Sequence, residues 1–193
     1  MNKNYAFLNS FKNISEDTFK LLQGIATYKE LKAGTQISKL GEKPSNFYLL
    51  VDGIVRVYKL SELGKEYNKN FFLPISLTGS LTGLIKKEPS ELIYEALTDC
   101  KVYEINYNEF IKLSQTKIEI CQLHIKILEN VFIKYEVRQL ELISLNATER
   151  YKKLRSDIPN IDKLIPQYQI ASYLSITAVQ LSRIRKKIND TSS

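Results

Sequence analysis

Basic side chains gather near the C-terminal end of the sequence, where they could bind phosphates or nucleic-acid bases. Residues 147–193 hold nine Lys or Arg and four Asp or Glu, a net charge of +5, while the whole chain of 193 residues carries +7. The first 146 residues are nearly balanced, with 19 bases and 17 acids. A basic segment beside a nearly neutral one indicates contact with nucleic acid or another acidic surface, although a solvated helical face would give the same count.

Two short helices are predicted within this basic segment, at 166–188. Pro166 suits the first turn of a helix, because its missing N–H would have no partner there. The apolar pattern then breaks, and Thr177 with Gln180 forms a capping box that starts a second helix at the next residue. The apolar stripe of this second helix consists of Leu181, Ile184 and Ile188. Two short helices joined by a tight turn, with a basic outer face on the second, are typical of a helix-turn-helix.

Each side chain on the outer face of the second helix predicts a particular contact with DNA. Arg183 can bind the two acceptors of a guanine edge, Gln180 and Ser182 can hydrogen-bond bases or phosphates, and Val179 suits a thymine methyl. The remaining basic residues predict phosphate contacts, which give affinity rather than specificity. The predicted DNA-binding residues are Gln167, Thr177, Ala178, Val179, Gln180, Ser182, Arg183, Arg185, Lys186 and Lys187. The same two-helix pattern is also compatible with structural packing alone.

A long helix is predicted directly before the basic segment, at about 117–145, where apolar residues recur at heptad spacing. Its seam consists of Ile118, Cys121, Ile125, Leu128, Phe132, Tyr135, Gln139 and Leu142. A second apolar stripe consists of Ile120, Leu123, Ile127, Val131 and Leu140. A helix with two apolar faces needs two partners, so we expect one face to pack on the rest of the chain and the seam to form a homodimer. A helix buried wholly within one chain is the alternative.

The first half of the chain predicts a small β-structure. Ser15 can cap a short helix, and from Thr27 to Ile105 short β-favouring runs alternate with Gly-containing turns. Asp52-Gly53 stands between two such runs, which predicts a hairpin. The expected fold class is α+β, with an N-terminal antiparallel, jelly-roll-like β-roll and a long dimerisation helix, followed by a small helical helix-turn-helix domain. Asn146 with Glu149 looks like the next helix cap, so the domains are predicted at 1–145 and 146–193.

With these elements in place, the chain resembles the Crp/Fnr family of bacterial transcription regulators. The strongest match is ATERY with IPQYQIASYLSITAVQLSRIRKKI, and a looser match covers LKAGTQI, GEKPSNFYLLVDGIVRVYKL and YEAL in the roll. The resemblance implies a homodimer that binds a palindromic operator in double-stranded DNA and regulates transcription by contacting or blocking RNA polymerase. The β-wing found after the recognition helix in many members is expected to be short or missing, because five residues follow Ile188.

The resemblance also implies where an effector would bind. In cyclic-nucleotide-binding members a Gly-Glu pair holds the ribose, and an Arg about ten residues later pairs with the phosphate. The corresponding positions here are Gly79, Ser80 and Ser90, and residues 70–85 carry no charge. Because a buried phosphate needs a cation, we expect no cyclic AMP binding of the usual kind. Two alternatives stay open: an unknown neutral effector beside Gly79, Ser80, Leu81 and Ser90, or a fully packed core.

Catalytic, metal and cofactor sites find no support in the sequence. Cys100 and Cys121 cannot supply the four thiolates of an iron–sulfur cluster, and His124 is the only histidine. Since no acid–base pair or activated nucleophile stands out, we expect no enzyme. No run reaches the ~18 apolar residues of a membrane span, and a cytoplasmic location is expected. The alternative function is a ligand-sensing or protein-interaction roll whose basic tail is only an electrostatic tether.

Overall fold

The computed structural model describes residues 3–190, beginning with two short helices, α1 (Lys3–Phe11) and α2 (Glu16–Gly24). Ser15 caps α2 as predicted, because its hydroxyl oxygen accepts a hydrogen bond from the Thr18 N–H at 3.2 Å. The two helices are tied together by Tyr5, whose hydroxyl donates to the Ile14 carbonyl at 2.7 Å and whose ring lies 4.9 Å from that of Phe19.

Eight strands follow and form two four-stranded antiparallel sheets. They are β1 (Ala26–Leu31), β2 (Gln36–Ser38), β3 (Asn46–Asp52), β4 (Val55–Leu60), β5 (Glu66–Phe72), β6 (Ser76–Thr78), β7 (Ile93–Ala96) and β8 (Cys100–Asn106). Sheet A has the order β1-β8-β3-β6, and sheet B has the order β2-β7-β4-β5. A buried cluster that includes Leu50, Val55, Val57, Ala96 and Val102 forms the core of the roll. The predicted α+β class with an antiparallel roll is confirmed.

The hairpin predicted at Asp52-Gly53 is wrong, because β3 and β4 belong to different sheets. Gly53 has a φ of +88°, and a Cβ there would lie 2.3 Å from the carbonyl oxygen of Asp99. The chain therefore turns a tight corner from sheet A to sheet B, and that corner needs a glycine for the same backbone reason as a hairpin. The hairpin lies one strand later, between β4 and β5, where the Ser61 N–H donates to the Lys65 carbonyl at 2.9 Å.

The remaining elements are helical. They are α3 (Leu81–Lys86), between β6 and β7, and then α4 (Tyr107–Thr116), α5 (Ile118–Ser144), α6 (Ala147–Asp157), α7 (Ile161–Leu164), α8 (Gln167–Tyr173) and α9 (Ala178–Asp190). The long helix agrees with its prediction, and Asn146 and Glu149 form the predicted capping box at the start of α6. Residues 191–193 lie outside the described residues, so the prediction about the β-wing stays a prediction.

The chain divides into two compact units that differ from the predicted domains. The roll unit consists of the residues up to 58 together with 71–133, and the C-terminal unit consists of 59–70 together with the residues from 134 on. The division therefore falls inside α5, and the tip of the β4–β5 hairpin is grouped with the helix-turn-helix. The predicted domain boundary between residues 145 and 146 stays a prediction.

Candidate nucleic-acid interface

The last two helices of the C-terminal unit, α8 and α9, are joined by a tight turn. Ser175 in this turn has a φ of +58°, and the Ile176 N–H donates to the Ala171 carbonyl at 3.0 Å. The predicted capping box is present at the start of α9, since the Gln180 N–H donates to Thr177 Oγ1 at 3.1 Å and the Thr177 N–H donates to Gln180 Oε1 at 2.8 Å. The turn and cap therefore place the first turn of α9 where sequence reasoning predicts it.

A small apolar core holds these helices together. Ile170, Leu174 and Leu181 have no exposed surface, and Ala171 is 2% exposed. The small side chain of Ala171 lets a second helix approach closely. The other two residues of the predicted stripe on α9 are half-buried. This core fixes α9 by its inner face, so the outer face is left to the solvent.

The outer face of α9 carries most of the predicted DNA-binding residues, whereas Gln167 lies on α8 and Thr177 directly precedes α9. All ten of them are exposed except Arg185, which is half-buried. Arg183 and Lys186 are exposed and have no ion pair with any residue between 3 and 190. Arg185 Nε instead lies 3.7 Å from Asp162 Oδ1, so this side chain is directed toward α7 rather than outward. Its predicted role in phosphate binding stays a prediction, and the structure gives it a competing partner.

Several other basic residues of the segment have structural partners. Arg150 donates to the carbonyls of Leu145 and Leu174 at 2.6 and 3.1 Å, which ties α6 to the end of α8. Lys153 pairs with Asp157 at 2.8 Å, and this carboxylate raises the pKa of the lysine. The net charge of +5 therefore overstates the charge available to a ligand, and much of what stays exposed lies on α9.

A buried tyrosine that sequence reasoning missed helps to position α7. Tyr151 is 1% exposed, and its hydroxyl lies 2.7 and 2.8 Å from the two carboxylate oxygens of Asp162. Burial and this carboxylate raise the pKa of Tyr151 to about 12, so the hydroxyl stays protonated and donates to Asp162. Asp162 in turn faces Arg155 and Arg185. Residue spacing gives no signal for this contact, because it depends on the turn between α6 and α7.

The tip of the β4–β5 hairpin contacts α8 through polar groups, which sequence reasoning also missed. The Asn68 N–H donates to Ser172 Oγ at 2.9 Å, and Asn68 Nδ2 donates to the Gln169 carbonyl at 3.2 Å. The Ser172 hydroxyl donates to the Glu66 carbonyl at 3.1 Å. Asn68 and Gln169 are 8% and 3% exposed. The first helix of the helix-turn-helix is thus held by a strand whose other end belongs to the roll.

The predicted seam of α5 is largely uncovered in the single chain. Ile118, Ile125, Phe132, Tyr135, Gln139 and Leu142 are exposed, whereas Cys121 and Leu128 are half-buried. On the second stripe Ile120 and Leu123 are buried, but Leu140 is 58% exposed. Placing Leu140 on that stripe was wrong, because it lies about 100° to 180° around the helix from the other members.

The predicted effector position inside the roll is closed. Ser80 and Ser90 are 5% and 2% exposed, their hydroxyl oxygens lie 2.9 Å apart, and the Ser90 hydroxyl donates to the Leu92 carbonyl at 2.7 Å. Gly79 packs so closely that a Cβ would lie 3.2 Å from Cα of Phe47. Leu81 is half-buried, while the nearby Lys86 and Lys87 are exposed. The two hydroxyls are therefore bonded to each other at the position predicted for an effector.

Comparisons with known proteins agree with this architecture. The sequence model of the cyclic nucleotide-binding domain matches residues 28–117. An anaerobic regulatory protein from Bacillus subtilis is 29% identical over 100 residues, an alignment that covers 51% of this chain and 42% of that protein. The chain therefore matches less than half of the length of this relative.

Solved structures share the fold over nearly the whole chain. FixK2 from Bradyrhizobium japonicum has a TM-score of 0.75 at 20% identity, with 87% of this chain and 86% of that chain covered. A Crp/Fnr-family protein from Eubacterium rectale has a TM-score of 0.72 at 16% identity, with 98% and 89% covered.

These features define a class of protein in which a cyclic nucleotide-binding roll and a long helix precede a helix-turn-helix. In this architecture the chain is similar to proteins of the Crp/Fnr family, and the domain match together with the anaerobic regulatory protein supports a Crp/Fnr-type regulator. Within residues 3–190 no helix is long and apolar enough to cross a membrane. In the same range no three His, Cys, Asp or Glu side chains lie close enough together to hold a metal ion.

Proposed function

We propose that this chain is a homodimeric, sequence-specific DNA-binding transcription regulator that does not respond to cyclic AMP. The observation that carries the proposal is the outer face of α9, where Arg183 and Lys186 are exposed on a capped helix whose inner face is buried. A helix held in this way can enter the major groove, where Arg183 reads a guanine edge and the lysines neutralise phosphates. The anaerobic regulatory protein among its relatives supports a regulatory function.

The exposed seam of α5 supports a homodimer. Ile118 and Phe132 are 71% and 66% exposed, and large apolar side chains at heptad spacing along a helix are typical of a coiled-coil interface. A two-fold dimer presents two copies of α9, so its operator is a palindrome with half-sites about 34 Å apart or slightly more. A protein that stays monomeric at micromolar concentration would contradict this part of the proposal.

RNA polymerase is proposed as the protein partner, in line with the family, and the cytoplasm as the location. Both cysteines are free, which suits a reduced compartment. Whether the protein activates or represses transcription depends on where the operator lies relative to a promoter.

The decisive experiment selects binding sites from random DNA and then compares two substitutions. Arg183→Ala should weaken binding to the selected palindrome by about 1–3 kcal/mol and relax the base preference at one position per half-site. Lys187→Ala should weaken all sequences alike and reduce the salt dependence of binding. Lys43→Ala, at an exposed position of the roll unit, is the matched control and should change neither property.

An unchanged base preference in Arg183→Ala would reject the recognition-helix assignment. If the chain selects no palindrome and all four proteins bind DNA equally weakly, the basic segment is only an electrostatic tether and the alternative function holds.

The absence of a cyclic AMP response is proposed from the closed serine pair. Among residues 3–190, the partners of the Ser80 and Ser90 hydroxyls are each other and the Leu92 carbonyl rather than a cation. Isothermal titration calorimetry of this chain with cyclic AMP and cyclic GMP should detect no binding up to about 1 mM nucleotide, a concentration that corresponds to a binding free energy of about −4 kcal/mol. Binding of either nucleotide with a micromolar dissociation constant would overturn this part of the proposal.

A further inference from the structure

A cavity of about 220 Å³ lies on the outer face of sheet A, on the other side of the sheet from the core of the roll. Side chains alternate between the two faces of a strand. On β3, Tyr48 and Leu50 belong to the core cluster, whereas Phe47 and Leu49 line the cavity. The strand pairing extends this outer face, because Leu49 is the partner of Tyr103 on β8 and of Leu77 on β6. The cavity is therefore separate from the predicted effector position at Ser80 and Ser90.

Helices of the roll unit form the other walls. α1 and α2 contribute Leu8, Phe19 and Leu22, and α5 contributes Leu123 and Ile127. These walls are held apart from one another by contacts outside the cavity. The carboxylate of Glu119, at the start of α5, accepts hydrogen bonds from the Ser15 hydroxyl at 2.7 Å and from the Thr18 hydroxyl. Because α2 is anchored to α5 in this way, the helices cannot move in to fill the space without breaking those bonds.

The lining excludes charged ligands and favours apolar ones. None of the lining residues is charged, and most are aliphatic or aromatic. A phosphate or carboxylate placed there would lose its hydration without gaining a cation. Asn4, Gln23 and the tyrosine Tyr103 add a few polar groups, which can orient a ligand that has a single hydroxyl or carbonyl. An apolar cavity of about 150 Å³ already holds benzene in another protein, so this larger one has room for a two-ring molecule.

We propose that this cavity is a binding site for an uncharged, largely apolar small molecule of about two rings in size. A dimer formed through the seam of α5 leaves it open. Leu123 and Ile127 each lie two residues from Ile125 of the seam, which is about 200° around the helix axis. The occupant is thus a small molecule rather than the second copy of the chain.

The test uses 2-naphthol, a two-ring molecule with one hydroxyl that is uncharged at neutral pH, and isothermal titration calorimetry of the full-length protein. Saturable binding of one molecule per chain is expected, unaffected by cyclic AMP at 1 mM. Ala26→Leu and Leu77→Phe both place extra carbon atoms in the cavity and should weaken binding at least tenfold. Leu63→Ala, at a 96% exposed turn, and Phe132→Ala, on the seam, are controls that should bind as the unsubstituted protein does.

Two results would overturn the proposal. One is the lack of saturable binding in the unsubstituted protein. The other is binding that survives both cavity substitutions, and its loss in Phe132→Ala would then place the probe on the seam. The thermal unfolding midpoint of each variant is measured first, and two independent cavity substitutions ensure that one poorly folded variant does not decide the result. The site-selection experiment on DNA is independent of this one, so a failure of the DNA-binding proposal leaves the cavity test intact.

Discussion

Two polar sites, one in each unit of the molecule, differ in whether their side chains are bonded within the protein. In the roll unit the serines at the expected phosphate position are buried and bonded to each other. In the C-terminal unit Arg183 and Lys186 point to solvent without an ion pair among the described residues. A polar group whose bonds are satisfied internally stabilises the fold, whereas an exposed cation on a fixed helix is available to an anionic partner. The difference supports the proposal that this protein binds phosphate at its C-terminal helix and not inside its roll.

Restoring a cation inside the roll should have the largest effect on stability. Ser90→Arg would place a guanidinium where a 2% exposed hydroxyl is now bonded to Ser80 and Leu92, and we expect a loss of about 3–5 kcal/mol in the free energy of unfolding. Urea denaturation followed by circular dichroism measures this value. Ser90→Ala is the matched control and should cost about 1 kcal/mol, since it removes hydrogen bonds but adds no charge.

The outcome of this substitution tests whether the serine pair is a closed structural feature. If Ser90→Arg is as stable as the unsubstituted protein, the roll has room and solvent at this position. Cyclic AMP binding by this variant would then show that one cation is enough to create a nucleotide site in the roll. The two units would in that case differ in phosphate binding because of a single residue.

An intermediate effect is expected at the start of the recognition helix. Thr177→Ala removes the oxygen that accepts from the Gln180 N–H and should lower the free energy of unfolding by about 1 kcal/mol. Thr177→Ser keeps the hydroxyl and should restore most of this stability. Because the capping box also occupies Gln180 Oε1, the cap and any base contact by Gln180 compete for the same atom.

Measuring DNA binding by Thr177→Ala distinguishes the capping role of Thr177 from a direct contact with DNA. A loss of affinity larger than the loss of stability would mean that Thr177 itself contacts DNA. Equal losses in both measurements would limit its role to holding the helix start in place.

The helix-turn-helix could be predicted in detail because its signals are local. Thr177 and Gln180 are three residues apart, and the seam of α5 repeats within a single helix. The contacts that were missed join distant parts of the chain. Asn68 and Ser172 are 104 residues apart, and no spacing rule connects them. Asp162 and Arg185 likewise come together only because the chain turns twice between them, so sequence reasoning predicted a phosphate contact for that arginine.

The roll also has features that could not be predicted from the sequence. Asp52-Gly53 indicates a backbone conformation with positive φ, and both a hairpin and a corner between sheets require it. The missing charges at 70–85 drew attention to Ser80 and Ser90, whose role stays a prediction, but the cavity arises on the opposite face of sheet A, where helices from both ends of the roll unit meet. A void is what side chains leave unfilled, and no residue type encodes it.

The smallest effect is expected from the single histidine, which lies in the roll unit with its ring 5.1 Å from that of Phe110. Burial lowers the pKa of His124 from its ordinary value of 6.5. The unfolded chain therefore binds a proton more readily than the folded chain, so stability falls as the pH drops below about 6.5 and continues to fall until the folded pKa is reached. The free energy of unfolding at pH 7.5 minus that at pH 5.5 should be larger in the unsubstituted protein than in His124→Gln, because the carboxylates common to both proteins cancel. An equal difference in the two proteins would mean that burial does not lower the pKa of His124 in the folded chain.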